Sequence, residues 1–174
     1  AMGKIRITKT EHEGGNAVPG AVFAIVAAED IVTPDGTVRV SKGELVDTVT
    51  TGQDGKAMSK ALYLGRYAVK ETDAPEGYLL NAKDFETELK YKDQNTEIVY
   101  ADIRVENEVA KGKIRIVKTD ADTGKIIPEK AEFEIVAAED IVTPGGAIKA
   151  KQGTVVDTVV SGENGRGVSG ELHM

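Results

Sequence analysis

Cysteine, tryptophan and histidine are nearly absent from this 174-residue sequence, which has no Cys, no Trp and two histidines, His12 and His173. The lack of cysteine excludes disulfides, thiolate catalysis and Cys-ligated zinc. It fits a reducing compartment and an exported protein stapled by other means equally well. Two histidines supply a serine-type triad or a His-rich metal site very poorly. We therefore expect no conventional enzyme chemistry, no cofactor and no metal site.

Long apolar runs and clustered cations are also missing. No apolar stretch approaches the ~20 residues of a membrane-spanning helix. No charged and then apolar leader opens the chain, so we expect any secretion signal to lie outside this stretch. Lys and Arg total 22 against 29 Asp and Glu, a formal net charge of −7, whereas nucleic-acid-binding proteins cluster their cations. The sequence therefore predicts no membrane span and no nucleic-acid partner.

Much of the sequence consists of short segments in which apolar and polar residues alternate, and it contains 19 glycines. Turn signals such as Pro34-Asp35-Gly36 and Asp54-Gly55 separate these segments. Their spacing, without a helical period, predicts an all-β fold, an antiparallel Greek-key β-sandwich. Only residues 27–31 are considered for a single helical turn. The candidate strands are residues 3–10, 21–27, 37–40, 44–51, 57–61, 65–72, 83–91 and 96–107.

The two parts of the chain repeat one another. Residues 3–10 recur as 112–119, and residues 23–34 recur as 133–144 with one change. A repeat of this length is a whole domain and not a solenoid unit, so we predict modules at residues 3–109 and 111–174. The second module lacks counterparts of residues 63–107. We expect it to be an incomplete copy that is frayed, borrows a strand, or is completed by sequence outside this stretch.

On three predicted strands of the first module, the last residue of the apolar face is polar. Side chains alternate along a strand, so residues of equal parity share a face. The polar residues are Lys9, Glu71 and Asn107, and the repeat keeps the first of them as Lys118. The three faces are Ile5-Ile7-Lys9, Tyr67-Val69-Glu71 and Ile103-Val105-Asn107.

Two interpretations of these residues stay open on parity alone. In the first, the strands end at the surface, where Lys9 snorkels, Glu71 opens a turn and Asn107 caps the module boundary. In the second, the three side chains meet in the interior, where burial favours the neutral forms of Lys9 and Glu71. A neutral amine is a nucleophile. A protonated Glu71 would polarise the Asn107 carbonyl and relay protons to departing ammonia, joining the two side chains as an amide.

The sequence resembles a known family at several of these positions. Residues 67–78, Y-A-V-K-E-T-D-A-P-E-G-Y, are similar to the E-x-x-A-P-x-G-Y signature of CnaB-type, SpaA-like domains of Gram-positive pilins and adhesins. Residues 5–10, 19–23 and 103–108 resemble the same family. The resemblance extends over residues 3–109 and the available part of 111–174. It implies an Ig-like or prealbumin-like sandwich.

The resemblance also implies a function. It suggests a secreted, wall-attached protein of a Gram-positive bacterium, in which such modules form a stalk or spacer beside neighbouring modules. It implies a spontaneous isopeptide bond between Lys9 and Asn107 with Glu71 as the catalytic residue. Lys118 corresponds to the cross-link lysine of the second module, whose glutamate and asparagine have no counterparts here. No sorting signal or pilin polymerisation motif is found, so the resemblance leaves pilus shaft and adhesin stalk open.

Two other functions compete with the structural one. A ligand-binding adhesin module would bind a host protein or glycan on the same sandwich. Glycan sites usually use exposed aromatics, and the only tyrosines are those at 63, 67, 78, 91 and 100. A calcium-stabilised module would use Glu29-Asp30 with Asp54 or Asp93, but calcium needs six to eight converging oxygens and no EF-hand spacing is present. We expect these acids to be solvated turn residues.

Overall fold

The computed structural model describes residues 1–174, all in strands, turns and irregular segments. No helix long and apolar enough to cross a membrane is found. The chain forms two compact units, Ala1–Glu108 and Val109–Met174. The first contains β1 (Met2–Glu11), β2 (Val22–Ala27), β3 (Ile31–Val32), β4 (Val38–Val40), β5 (Leu45–Thr50), β6 (Lys56–Met58), β7 (Leu62–Tyr63), β8 (Gly65–Asp73), β9 (Asp84–Leu89) and β10 (Ile98–Asn107).

Two four-stranded sheets enclose the core of the first unit. One has the order β10-β1-β6, with β7 also paired to β1, and the other has the order β5-β2-β8-β9. Alternation places the apolar side chains of β1, β2 and β8 inside, where Ile5, Phe23 and Val69 are fully buried. The prediction of an all-β sandwich is confirmed.

One strand pair departs from the predicted antiparallel arrangement. β1 and β10 are parallel over ten residues, from Met2 beside Ile98 to Glu11 beside Asn107. A parallel pair requires a crossover in place of a hairpin, and β10 follows β9, which belongs to the opposite sheet. The parallel pairing brings the last residues of β1 and β10 to the same end of their sheet.

The predicted helical turn at residues 27–31 is wrong. The backbone amides of Ala27 and Ala28 donate to Glu44 and Arg66, which lie far away in the chain. Ile31 and Val32 then form β3. Cross-strand hydrogen bonds thus replace the local bonds that a helical turn needs.

The second unit repeats the early strands of the first. Its β13 pairs with β16 in the register of β2 with β5, including the bulge after Ile135 that matches the one after Ile25. No strand of this chain takes the places of β8 to β10 there, and Ile114 is 44% exposed where its counterpart Ile5 is 0% exposed. Its strands are β11 (Lys111–Gly112), β12 (Arg115–Val117), β13 (Glu132–Val136), β14 (Ile141–Val142), β15 (Ile148–Ala150), β16 (Val155–Val160), β17 (Arg166–Val168) and β18 (Leu172–His173).

Gly55 holds the turn that supports Lys9, and we expect Gly55→Ala to destabilise the first unit strongly. Gly55 has a φ of 68°, and its carbonyl accepts the Lys9 amide at 2.7 Å. An added Cβ would collide with the Lys9 carbonyl oxygen. Gly36→Ala is the matched control, since its φ is 81° and nothing lies within 4 Å of an added Cβ.

Gly36→Ala should lower the free energy of unfolding by only about 1–2 kcal/mol, because alanine is less stable than glycine in the left-handed backbone conformation. Gly55→Ala should lower the free energy of unfolding, measured in urea, by at least about 2 kcal/mol more because the backbone must shift. Equal losses in the two variants would show that this turn tolerates a side chain.

Candidate functional site

Lys9, Glu71 and Asn107 meet in the interior of the first unit. They come from β1, β8 and β10, so both sheets contribute, and their exposed fractions are 0%, 6% and 1%. A lysine with no exposed surface does not snorkel to solvent, and the surface interpretation of this side chain is therefore wrong. The alternation of strand side chains placed all three residues on inward faces.

A single carboxylate oxygen of Glu71 contacts both of the other groups. The Nζ atom of Lys9 lies 3.7 Å from Oε1 of Glu71. The Nδ2 atom of Asn107 donates a hydrogen bond to the same Oε1 at 2.8 Å. The expected arrangement was a protonated Glu71 donating to the Asn107 carbonyl, and the structure has the amide as donor. Glu71 is therefore positioned to accept a proton from the amine and to deliver one to the amide nitrogen.

Two polar atoms at the centre of the site have no hydrogen-bond partner. They are Nζ of Lys9 and Oδ1 of Asn107, and both are buried. Buried polar groups without partners are rare because each costs about 1–3 kcal/mol. The site therefore holds an amine and an amide carbonyl whose hydrogen-bonding capacity the surrounding protein does not use.

Burial also changes the acidity of the amine. It lowers the pKa of Lys9 to about 8, and the neighbouring Glu71 carboxylate opposes that shift without cancelling it. About a tenth of the molecules would then carry a neutral Lys9 amine near pH 7. A surface lysine would provide less than a thousandth. Burial therefore increases the share of Lys9 that carries the neutral amine near pH 7.

Glu11 is a further buried carboxylate beside the site, and the sequence analysis missed it. It continues the inner face of β1 two residues beyond Lys9 and pairs in register with Asn107. The Tyr78 hydroxyl donates a hydrogen bond to Oε2 of Glu11 at 3.2 Å, and burial raises the pKa of Tyr78 to about 12. Parity alone would have identified Glu11 if the predicted strand had not ended at residue 10.

Lys118 occupies the same backbone environment in the second unit. Its amide donates to the Gly165 carbonyl at 2.8 Å, as that of Lys9 does to Gly55. Its side chain is half-buried, and that unit brings it no counterpart of Glu71 or Asn107. The repeat therefore reproduces the lysine without the rest of the site.

The residues considered for calcium have other roles. Their carboxylates accept backbone amides within turns and loops, which is how isolated acidic residues commonly stabilise turns. The three pairs are Asp30 with the Lys42 amide, Asp54 with the Lys56 amide and Asp93 with the Asn95 amide, at 2.7, 3.0 and 2.9 Å.

The tyrosines considered for glycan binding differ in burial and in their contacts. Tyr67 is fully buried and donates to the Tyr63 carbonyl at 2.7 Å, while Tyr78 packs over Glu11. Tyr91 and Tyr100 are exposed, and Arg6 covers the Tyr100 ring at 4.7 Å. Tyr91 and Tyr100 are therefore the most exposed tyrosine rings, and an arginine covers one of them.

A family model and a curated protein each match part of this sequence. The family model for "SpaA: Prealbumin-like fold domain" matches residues 3–104. A 46-residue stretch is 41% identical to the trypsin-resistant surface T6 protein of Streptococcus pyogenes serotype M6, covering 26% of this chain and 9% of that protein.

Two solved structures are also similar to this chain. The TIE protein of Bacillus anthracis matches with a TM-score of 0.63 and 25% identity, over 98% of this chain and 26% of that one. The pilus 2b backbone protein of group B streptococcus matches with a TM-score of 0.45 and 25% identity, over 62% of this chain and 41% of that one. This chain spans less than half the length of each relative.

Proposed function

The chain belongs to the SpaA family of prealbumin-like fold domains, and from that premise we propose that its first unit is a structural stalk module held closed by an isopeptide bond between Lys9 and Asn107. The module would lie on the outer surface of a Gram-positive bacterium, within a wall-attached surface protein or pilin. Its partners would be the neighbouring modules of the same protein. The 46-residue stretch that is 41% identical to a streptococcal surface protein supports this assignment.

The position of Glu71 Oε1 between amine and amide carries the chemical part of the proposal. The neutral Lys9 Nζ attacks Cγ of Asn107, and one Nζ proton passes to the Glu71 carboxylate. Glu71 then delivers that proton to Nδ2, the Cγ–Nδ2 bond breaks, and ammonia leaves. The products are one amide, one ammonia and the restored carboxylate. Each molecule reacts once, so the module is not an enzyme with turnover.

A cleft beside the site offers a route for the ammonia. Its volume is about 390 Å³, and its lining includes Asn107 together with Leu79, Leu80 and Asn81. The attacking and leaving nitrogens are already held against one carboxylate oxygen, and such fixed proximity replaces the need for an outside catalyst.

The parallel pairing of β1 with β10 explains what the bond would do under tension. The chain enters at Met2 and leaves past Asn107, at opposite ends of the strand pair. A pull on both ends would shear the two strands apart. A bond from Lys9 to Asn107 would route the force through β1 and directly out of the unit, so residues 10–106 would carry little of it.

Peptide mapping tests the bond directly. Digestion of the purified chain should yield a branched peptide that joins the segment around Lys9 to the segment around Asn107, with one ammonia fewer than their summed mass. Two separate linear peptides in a folded chain would contradict the proposal.

The pH dependence of bond formation distinguishes the two proton arrangements considered for Glu71. With Glu71 as a carboxylate base, the rate should rise about tenfold per pH unit below about 7 and level off above about 8, where Lys9 is neutral. The lowered pKa of Lys9, about 8, sets that limit. The measurement is the rate of ammonia loss in freshly synthesised chain. A rate that is flat at low pH and falls above 8 would instead indicate a protonated Glu71 as the reactive form.

A further inference from the structure

The segment from Tyr78 to Asn81 crosses the end of the sandwich where β1 and β10 finish. The Leu79 amide donates to the carbonyl of Glu108 at 2.8 Å. The Asn81 side-chain amide donates to the carbonyl of Glu106 at 2.9 Å. The two carbonyls flank Asn107, so this segment holds the backbone on both sides of the reacting amide.

Asn81 makes a second connection, to the acid of the site. Its backbone amide donates to Oε2 of Glu71 at 2.7 Å. Its side-chain oxygen accepts the Lys83 amide at 3.1 Å, a local turn that Asn forms readily. The two side-chain hydrogen bonds therefore fix the direction in which the backbone amide points.

We propose that Asn81 is a positioning residue for isopeptide formation, an inference that rests on the function proposed above. With Oε2 of Glu71 held by the Asn81 amide, the carboxyl group cannot rotate freely. Oε1 then stays between the Lys9 and Asn107 nitrogens. The Asn81 side chain also donates to the Glu106 carbonyl of β10. Asn81 therefore fixes the position of the Glu71 carboxylate relative to the Asn107 side chain. Small displacements of reacting groups are known to cost up to about a hundredfold in rate.

The experiment measures bond formation during cell-free synthesis of the full chain. Samples are quenched in denaturant at intervals, and the mass of the intact chain is measured by mass spectrometry. We expect Asn81→Ala to slow ammonia loss by about tenfold or more while giving the same final product. Asn81→Ser should restore part of the rate, since a hydroxyl can re-form the turn with the Lys83 amide. The matched control is Asn95→Ala, at an exposed turn position, which should react like the parent.

A second comparison separates positioning from stability. Lys9→Met, which cannot form the bond, is compared with Lys9→Met/Asn81→Ala in urea denaturation. Equal midpoints together with a slowed reaction and rescue by serine support the proposal. An unchanged rate in Asn81→Ala, or a slowed rate that accompanies a lower midpoint in the double variant, would overturn it. A parent chain that never loses ammonia would overturn the proposed function itself.

Discussion

Glu71→Gln is expected to yield a folded chain that keeps its full mass, whereas the parent loses one ammonia per molecule. Glutamine preserves the size of the side chain and can occupy the same space between Lys9 and Asn107. It cannot accept the proton from the amine or return it to the departing nitrogen. General acid–base catalysis is worth about 10²–10⁴-fold, so the variant should remain unreacted long after the parent is complete. Intact mass measures the reaction, and faster migration on a denaturing gel reports the closed loop.

Glu86→Gln and Lys118→Met provide the matched controls for this experiment. Glu86 is a surface residue of the neighbouring strand β9, paired with Arg66, and Lys118 is the repeat counterpart of Lys9. Both variants should lose ammonia as the parent does. Complete ammonia loss in Glu71→Gln would show that the buried amine and amide react without this acid, and the role proposed for Glu71 would then be wrong.

The period of two in a β-strand singled out the three central residues, and the family resemblance then favoured the interior interpretation that parity alone had left open. Lys9, Glu71 and Asn107 each share parity with two apolar neighbours, and parity determines the face of the sheet whatever the pairing. Glu11 obeys the same rule, but the limits of a strand are less well determined by local sequence than its existence. Extending β1 by a single residue places Glu11 on the buried face of the strand.

Other features were beyond the reach of the local pattern. Alternation is the same in parallel and antiparallel strands, so it did not reveal that β10 runs parallel to β1. Asn81 contacts Glu71 through its backbone amide, whose direction is set by a loop. Every residue except proline has such an amide, so the residue type does not indicate this contact. The orientation of the Asn107 amide likewise follows from its hydrogen-bond partner in space.

Lys9→Met should reveal how much the bond contributes to stability. Methionine fills about the same volume without an amine, so the packing of the core is largely kept. The lost cross-link would have closed a loop of about 100 residues, which the chain-entropy model values at about 4–5 kcal/mol. Domains of this size have a total stability of about 5–15 kcal/mol. We expect the first unit to unfold on the order of 20 °C lower than in the parent.

Hydrogen exchange during heating shows which unit loses stability in Lys9→Met. Peptides from β1 and β10 report on the first unit and can be followed separately from peptides of the second unit. Lys118→Met is again the control and should leave the exchange of β1 and β10 unchanged. Glu71→Gln also leaves the Lys9 amine buried without the carboxylate that lies 3.7 Å from it, and a buried charge that loses its partner is strongly destabilising. Glu71→Gln should therefore be no more stable than Lys9→Met. A Lys9→Met chain as heat-resistant as the parent would mean that packing alone closes the sandwich and that the strands need no covalent staple.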